Sequence, residues 1–98
     1  MNATDVKALD IFVAHFGKVL CYSPELKTWF ILNPSARPTW QRDRKMEVRD
    51  MLSNLLALEA REGRLPVRYG NMTRITAVER LAKHDHRFVT YDLIPGKE

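Results

Sequence analysis

Cations and aromatic rings are the residues of this sequence best suited to binding chemistry. The densest cationic cluster places five side chains within thirteen positions: Arg37, Arg42, Arg44, Lys45 and Arg49. Arginine suits phosphate contact, because its planar guanidinium fork matches phosphate oxygens. Trp40 lies inside the cluster and is a candidate for stacking on an unpaired base. The alternative is a solvated helix face on which Asp43, Glu47 and Asp50 neutralise the cations, with the Trp40 ring packing the hairpin onto the helices.

A second cationic set follows along the chain. It consists of Arg64, Arg68 and Arg74, with Arg80 as a further candidate. The acids Glu62 and Glu79 leave internal ion pairing open as the alternative to ligand contact. In the first set, Arg42, Lys45 and Arg49 are three and four positions apart, so they would share one face of a helix that begins early enough. Both sets are therefore candidate surfaces for nucleic acid or for a protein partner.

Patterns typical of catalysis and metal binding are weak in this chain. His84 and His86 flank Asp85 on a predicted turn, whereas a metal site normally needs three or four positioned ligands. Cys21 falls in an apolar strand, which favours a small buried side chain over a reactive thiolate. A Gly-Lys pair near the C-terminus is followed by Glu98, so it does not complete a phosphate-binding loop. We therefore predict no catalytic residue, no metal, no cofactor and no enzyme activity.

Length and charge restrict the class of protein further. A chain of 98 residues accommodates one domain, which we expect over 1–92 with a flexible tail over 93–98. The stretch 37–87 holds all ten arginines and two lysines against seven acids, a net charge of +5 within a total of +4. A lone cysteine excludes an internal disulfide and fits a reducing compartment. No apolar run approaches the roughly 18 residues of a membrane span, so we expect a cytoplasmic protein without a membrane partner.

The first half of the chain reads as a helix followed by short strands. Apolar residues at helical spacing predict a helix from an N-cap at Thr4 to a stop at Gly17. Two runs rich in β-branched and aromatic residues, 19–22 and 28–32, predict a hairpin. A further short run at 39–41 is a candidate third strand.

The second half reads as two helices and an extended segment. Asp43 is expected to cap a long amphipathic helix over about 44–61. The next helix is expected to start at Asn71 or Thr73, and 86–92 is expected to be extended. We therefore predict a small α+β domain, mostly helical, with a short antiparallel hairpin or a three-stranded sheet.

The apolar stripes of the three predicted helices define the expected core. Seven residues on these stripes should be buried: Leu9, Phe12, Phe16, Leu52, Leu55, Val78 and Leu81. For Trp29, packing of the hairpin onto the helices is favoured over stacking on a base. Burial of these side chains would leave the cations of the middle segment at the surface.

Five segments of the chain are similar in order to those of one known family. They are the glycine-ended helix 8–17, the strand and turn 20–25, the Trp-containing strand 27–31, the Trp-x-x-Asp segment 40–43 and the helix with its following turn 77–89. This order resembles the N-terminal domain that precedes the superfamily-3 helicase module in phage, plasmid and poxvirus-type primase–helicases. The chain departs from that pattern in the loop 33–38, which replaces an Asp-Gly turn, and in lacking the segment that leads into the helicase.

The resemblance implies a non-catalytic module of a mobile-element DNA replication protein. Such a module is expected to bind single-stranded or duplex DNA weakly and with strong salt dependence, to organise the helicase module, or both. The alternative is a stand-alone phage-encoded interaction factor, such as an inhibitor of a host defence complex (anti-CRISPR-like) or a replication regulator. Either protein would work in the cytoplasm of a bacterial host or in a virus-infected cell.

Overall fold

The computed structural model describes residues 3–34, 37 and 39–91, and within them helices pack on one face of an antiparallel sheet. The elements in chain order are α1 (Ala3–Phe16), β1 (Leu20–Ser23), β2 (Thr28–Asn33), β3 (Thr39–Arg42), α2 (Glu47–Arg61), a 3₁₀ helix (Val67–Gly70) and α3 (Met72–Ala82). The predicted small α+β fold is confirmed in its three-stranded form. The predicted tail, 93–98, lies outside the described residues.

Helix α1 presents one regular face to the core. Its buried residues are spaced by three and four positions: Asp5, Ala8, Leu9 and Phe12. Thr4 was predicted as the N-cap, which is wrong, because the helix already includes Ala3. The predicted stop is confirmed at Gly17, whose N–H donates to the Val13 carbonyl at 2.8 Å. A Cβ atom at position 17 would lie 2.6 Å from that same oxygen, so a larger residue would force this turn apart.

The sheet has the order β1–β2–β3, with all pairs antiparallel. Cys21 of β1 lies opposite Phe30 of β2, and Leu32 of β2 lies opposite Trp40 of β3. Side chains alternate between faces along each strand, so Cys21, Phe30, Leu32 and Trp40 share the face that points away from the helices. We call this surface the outward sheet face.

The chain after α3 returns to the free edge of β1. The Tyr22 N–H donates to the Phe88 carbonyl at 2.9 Å, and the Tyr22 carbonyl accepts from the Thr90 N–H at 2.9 Å. Val89 thereby forms a parallel bridge with Tyr22. The predicted extended segment is correct only at this bridge, because 86–88 form a turn; Asp92 lies outside the described residues.

Helix α2 starts later than the sequence indicates. It begins at Glu47, directly after Met46, whose backbone is left-handed with a φ of 58°. Asp43 still caps it from upstream, since its carboxylate accepts the N–H groups of Glu47 at 2.8 Å and Val48 at 2.9 Å. The late start corrects the idea that Arg42, Lys45 and Arg49 share a helical face, because only Arg49 is helical.

Helix α3 starts at one of the two predicted positions. The Asn71 side chain accepts the Arg74 N–H at 3.1 Å, which makes Asn71 the N-cap of a helix that begins at Met72. The other predicted start, Thr73, lies within the first turn. The helix ends at Ala82, and the residues that follow form a turn.

The core joins all three helices to the inward sheet face. Leu9, Phe12, Leu52, Leu55 and Val78 are buried as predicted. Phe16 and Leu81 are only half-buried at the margin of the core, so their prediction was wrong in degree. Tyr69, which lies between the second and third predicted helices, is fully buried and was missed.

Trp29 packs the hairpin onto the helices, which confirms the favoured interpretation. Its ring makes edge-to-face contacts with Tyr22 at 5.2 Å and Phe88 at 5.3 Å between ring centroids. Its buried indole N–H has no hydrogen-bond acceptor in the described part of the chain. Edge-to-face aromatic packing is the setting in which such a group interacts with a ring instead. Trp29 is therefore a core residue and not a stacking surface.

Candidate nucleic-acid interface

The outward sheet face carries an aromatic cluster with a cation above it. Phe30 and Cys21 are buried there beneath Trp40, which is half-buried and packs against them. The guanidinium carbon of Arg42 lies 6.0 Å from the centroid of the Phe30 ring. Arg42 is opposite Phe30 in the register of β2 and β3, so strand pairing sets this contact. The result is a partly exposed indole next to an exposed arginine on a rigid strand.

Cations lie on β3 and on the segments that flank it along the chain. We call them the sheet-side cations: Arg37, Arg42, Arg44 and Lys45. All of them are exposed. Within the described residues, the side chains of Arg42, Arg44 and Lys45 form no ion pair with an acid. Their charge therefore faces solvent.

The acids expected to neutralise these cations do not do so. The carboxylate of Asp43 is occupied by backbone N–H groups at the start of α2, where it complements the helix dipole. Glu47 and Asp50 are exposed and lie more than 4.0 Å from every described cationic nitrogen. Arg42, Arg44 and Lys45 thus retain their attraction for an external anion.

Other arginines, three of them predicted site residues, form ion pairs with carboxylates on the helical side of the molecule. We call them the helix-side arginines: Arg49, Arg64, Arg74 and Arg87. Arg49 pairs with Glu79 and donates to the Thr76 hydroxyl at 2.7 Å. Arg64 grips the buried carboxylate of Glu59 with two hydrogen bonds of 2.8 Å. Arg64 therefore follows the ion-pairing alternative left open for the second cationic set, and Arg49 of the first set is neutralised by Glu79 instead of by the acids expected.

Arg74 takes part in a network that connects α1, the 3₁₀ helix and α3. Its guanidinium donates to both oxygens of Asp5 at 3.2 Å. The hydroxyl of fully buried Tyr69 donates to the same carboxylate. Burial, followed by the hydrogen bond to Asp5, raises the pKa of Tyr69 above its ordinary value. Asp5 was not singled out in the sequence, because its partners are remote along the chain.

Arg68 and Arg87 differ in their surroundings: Arg68 lies near an aromatic ring, and Arg87 pairs with two acids. Arg68 is exposed on the 3₁₀ helix, with its guanidinium 5.4 Å from the centroid of the Tyr69 ring. Arg87 bridges Asp85 at 2.8 Å and Asp10 of α1 at 3.0 Å. The hydrogen bond from Arg87 holds the pKa of Asp85 below its usual range.

The structure therefore divides the predicted site residues into separate groups. Arg37, Trp40, Arg42, Arg44 and Lys45 lie on β3 and its flanks. Arg49, Arg64 and Arg74 lie in ion pairs on the helical side, and Arg68 lies apart on the 3₁₀ helix. Phe30, which supports the outward cluster, was missed as a site residue. Its alternation with Trp29 along one strand is the signal that would have found it.

Groups suited to covalent or metal chemistry are poorly placed. Burial raises the pKa of the Cys21 thiol to about 11, so it is protonated at neutral pH. His84 places Nδ1 2.9 Å from the carbonyl of Arg80. The described residues contain no cluster of three or more His, Cys, Asp or Glu side chains that would hold a metal ion. Their helices also include none with the length and apolar content needed to cross a membrane.

The fold defines a small α+β domain with a basic, partly aromatic sheet face. The family model described as D5 N terminal like matches residues 10–97, which is most of the chain. The chain belongs to this family, the N-terminal domain of D5-like primase–helicases. No curated protein and no solved structure gives a match. The resemblance noted in the sequence is confirmed, and the alternative of a stand-alone interaction factor gains no support.

Proposed function

We propose that this domain is a non-catalytic module of a primase–helicase that contacts single-stranded nucleic acid through the outward sheet face. The observation that carries the proposal is the position of Arg42, Arg44 and Lys45. These side chains are exposed and have no acidic partner among the described residues. Arg42 lies two positions from the half-buried Trp40 on β3, and Arg44 and Lys45 follow directly along the chain. Cations beside an accessible aromatic ring are the combination that single-strand binding uses.

Charge and shape both favour a single strand over a duplex on this face. A stacking contact is worth about 1–3 kcal/mol per base and requires an unpaired base. The cations lie on a short strand and a turn, and no described helix projects from this face to enter a major groove. Binding is therefore expected to be weak, tolerant of sequence and strongly dependent on salt.

Fluorescence anisotropy with a labelled oligo-dT tests the proposal across several salt concentrations. Each phosphate contact to a single strand adds about −0.7 to the slope of log K against log salt. The double variant Arg42→Ala/Arg44→Ala should flatten this slope by about 1.4. The matched control, Lys7→Ala/Arg61→Ala, removes two exposed cations from α1 and α2 and should leave the slope unchanged.

Variants of Trp40 distinguish the contribution of base stacking from that of charge. Trp40→Ala should weaken oligo-dT binding by at least about fivefold, whereas Trp40→Phe should retain most of the affinity because the ring is kept. A labelled duplex of the same length should be insensitive to both changes. Circular dichroism checks that each variant is folded. Absence of binding at low salt, or equal slope changes in the test and control double variants, would overturn the proposal.

A further inference from the structure

A shallow groove on the exposed side of α3 is lined mainly by arginine and threonine residues. It has a volume of about 450 Å³, and its walls include Arg49, Arg74 and Arg80 together with the hydroxyls of Thr73 and Thr76. None of the described residues that line it carries a carboxylate. The helices pack on the inward face of the sheet, so this groove and the outward sheet face belong to different surfaces.

Two of these arginines are held in place by carboxylates behind them. The Glu79 and Asp5 side chains are only 13% and 10% exposed, and they anchor Arg49 and Arg74 respectively. Arg74 contacts both oxygens of Asp5 through Nη1, which fixes the position of its guanidinium. An anchored guanidinium loses little further rotamer freedom when it binds a ligand, which lowers the cost of association.

Arg80 supplies the third charge, and it is not engaged elsewhere. It is exposed and has no ion-pair partner among the described residues. Thr73, Thr76 and Arg80 follow one another at spacings of three and four positions, so they line one face of α3. Thr73 also lies in the first turn of this helix, where the backbone dipole favours negative charge.

We propose that this groove binds a phosphate group, as part of a polyphosphate or nucleotide or of a nucleic-acid strand. Guanidinium forks and hydroxyl donors match phosphate oxygens in geometry and charge. The volume falls in the range of small-molecule sites, about 300–1,000 Å³. The proposal does not depend on the function proposed for the outward sheet face, because it uses different residues on a different surface.

The test is a titration of the ¹⁵N-labelled protein with tripolyphosphate at low salt, followed by amide chemical shifts. The resonances of Thr73, Thr76 and Arg80 should move together and saturate. Arg80→Ala should raise the dissociation constant about tenfold or more, the expected effect of losing a charged hydrogen bond. Arg61→Ala removes an equally exposed arginine from the end of α2 and is the matched control. Both variants should keep the wild-type circular dichroism spectrum.

Titrations with other ligands identify the source of the phosphate and distinguish binding in the groove from binding on the outward sheet face. Oligo-dT binding that depends on Arg80 would assign the groove to a strand; dependence for tripolyphosphate or a nucleoside triphosphate alone would assign it to a free polyphosphate. Tripolyphosphate binding should survive Trp40→Ala, which affects only the sheet face. The phosphate-binding proposal is overturned if the amide shifts do not saturate, or if Arg80→Ala and Arg61→Ala weaken tripolyphosphate binding equally. Failure of oligo-dT alone to bind overturns the sheet-face function and leaves the groove standing.

Discussion

Arg74 on α3 and Arg44 before α2 are the same residue type with opposite surroundings. Arg74 donates to both oxygens of a buried carboxylate on another helix. Arg44 is exposed and pairs with no acid in the described residues. The same division holds between the helix-side arginines and the sheet-side cations Arg42, Arg44 and Lys45. Arginine content alone therefore does not identify a binding surface, because the carboxylates around each side chain decide how much of its charge is neutralised within the fold.

The largest effect on stability is expected from Asp5→Ala. The change leaves the buried Tyr69 hydroxyl without its acceptor and the half-buried Arg74 without its counter-charge. Together these losses should lower the free energy of unfolding by about 3 kcal/mol in urea denaturation. Asp10→Ala breaks only a surface ion pair and should cost less than about 1 kcal/mol. Equal losses in the two variants would contradict the central role given to the Asp5 network.

A smaller effect is expected from Arg49→Ala. Its side chain is 19% exposed and ties α2 to α3 through Glu79 and Thr76. In this variant the Glu79 carboxylate still has a cationic partner, because Lys83 lies 3.7 Å from it. We expect a loss of about 1–2 kcal/mol by urea denaturation. Arg44→Ala is the matched control, and a loss of the same size there would break the division between the two groups.

The Glu59–Arg64 pair should be visible in the acid dependence of stability. The hydrogen bonds from Arg64 hold the pKa of Glu59 below its ordinary value, despite the opposing effect of burial. The folded pKa is thus lower than the unfolded value of about 4.3, so the pair stabilises above that pH and loses its contribution as the pH falls through the folded pKa. Urea midpoints between about pH 7 and pH 3 should fall less steeply in Glu59→Gln than in wild type.

Glu25 provides the comparison for this pH dependence. It is exposed on the β1–β2 turn and has no ion-pair partner among the described residues. Glu25→Gln should therefore reproduce the wild-type acid profile. A profile flattened as much by Glu25→Gln as by Glu59→Gln would show that net charge, rather than the specific pair, sets the acid response.

The smallest effect on stability is expected from the sheet-side cations. Arg42→Ala/Arg44→Ala removes two exposed side chains without acidic partners, so the free energy of unfolding should change by less than about 0.5 kcal/mol per residue. The Arg42–Phe30 contact lies at the distance limit for a cation–π interaction, so its loss should add no more than about 0.5 kcal/mol to this change. Urea denaturation at two salt concentrations measures it. A substantial loss would place these cations with the structural group.

Local signals in the sequence were sufficient for most of the elements. Helical spacing, the glycine stop at Gly17 and the carboxylate cap at Asp43 act between near neighbours, and the structure contains each of them. The start of α2 was misplaced, because the left-handed Met46 delays the helix and the propensities of neighbouring residues do not reveal this. The cluster on β3 could also be read from the sequence, since its members are contiguous.

The sequence by itself determined the helices, the hairpin, the family and the clustering of arginines, because these depend on short-range spacing and composition. Only the tertiary structure decided which arginines are neutralised. The partners of Arg49 and Arg74 lie 30 and 69 positions away, so folding alone brings them together. The burial of Tyr69 and the groove on α3 follow from the same long-range packing. Ion pairing needs proximity within a few ångströms, and sequence separation does not specify that distance.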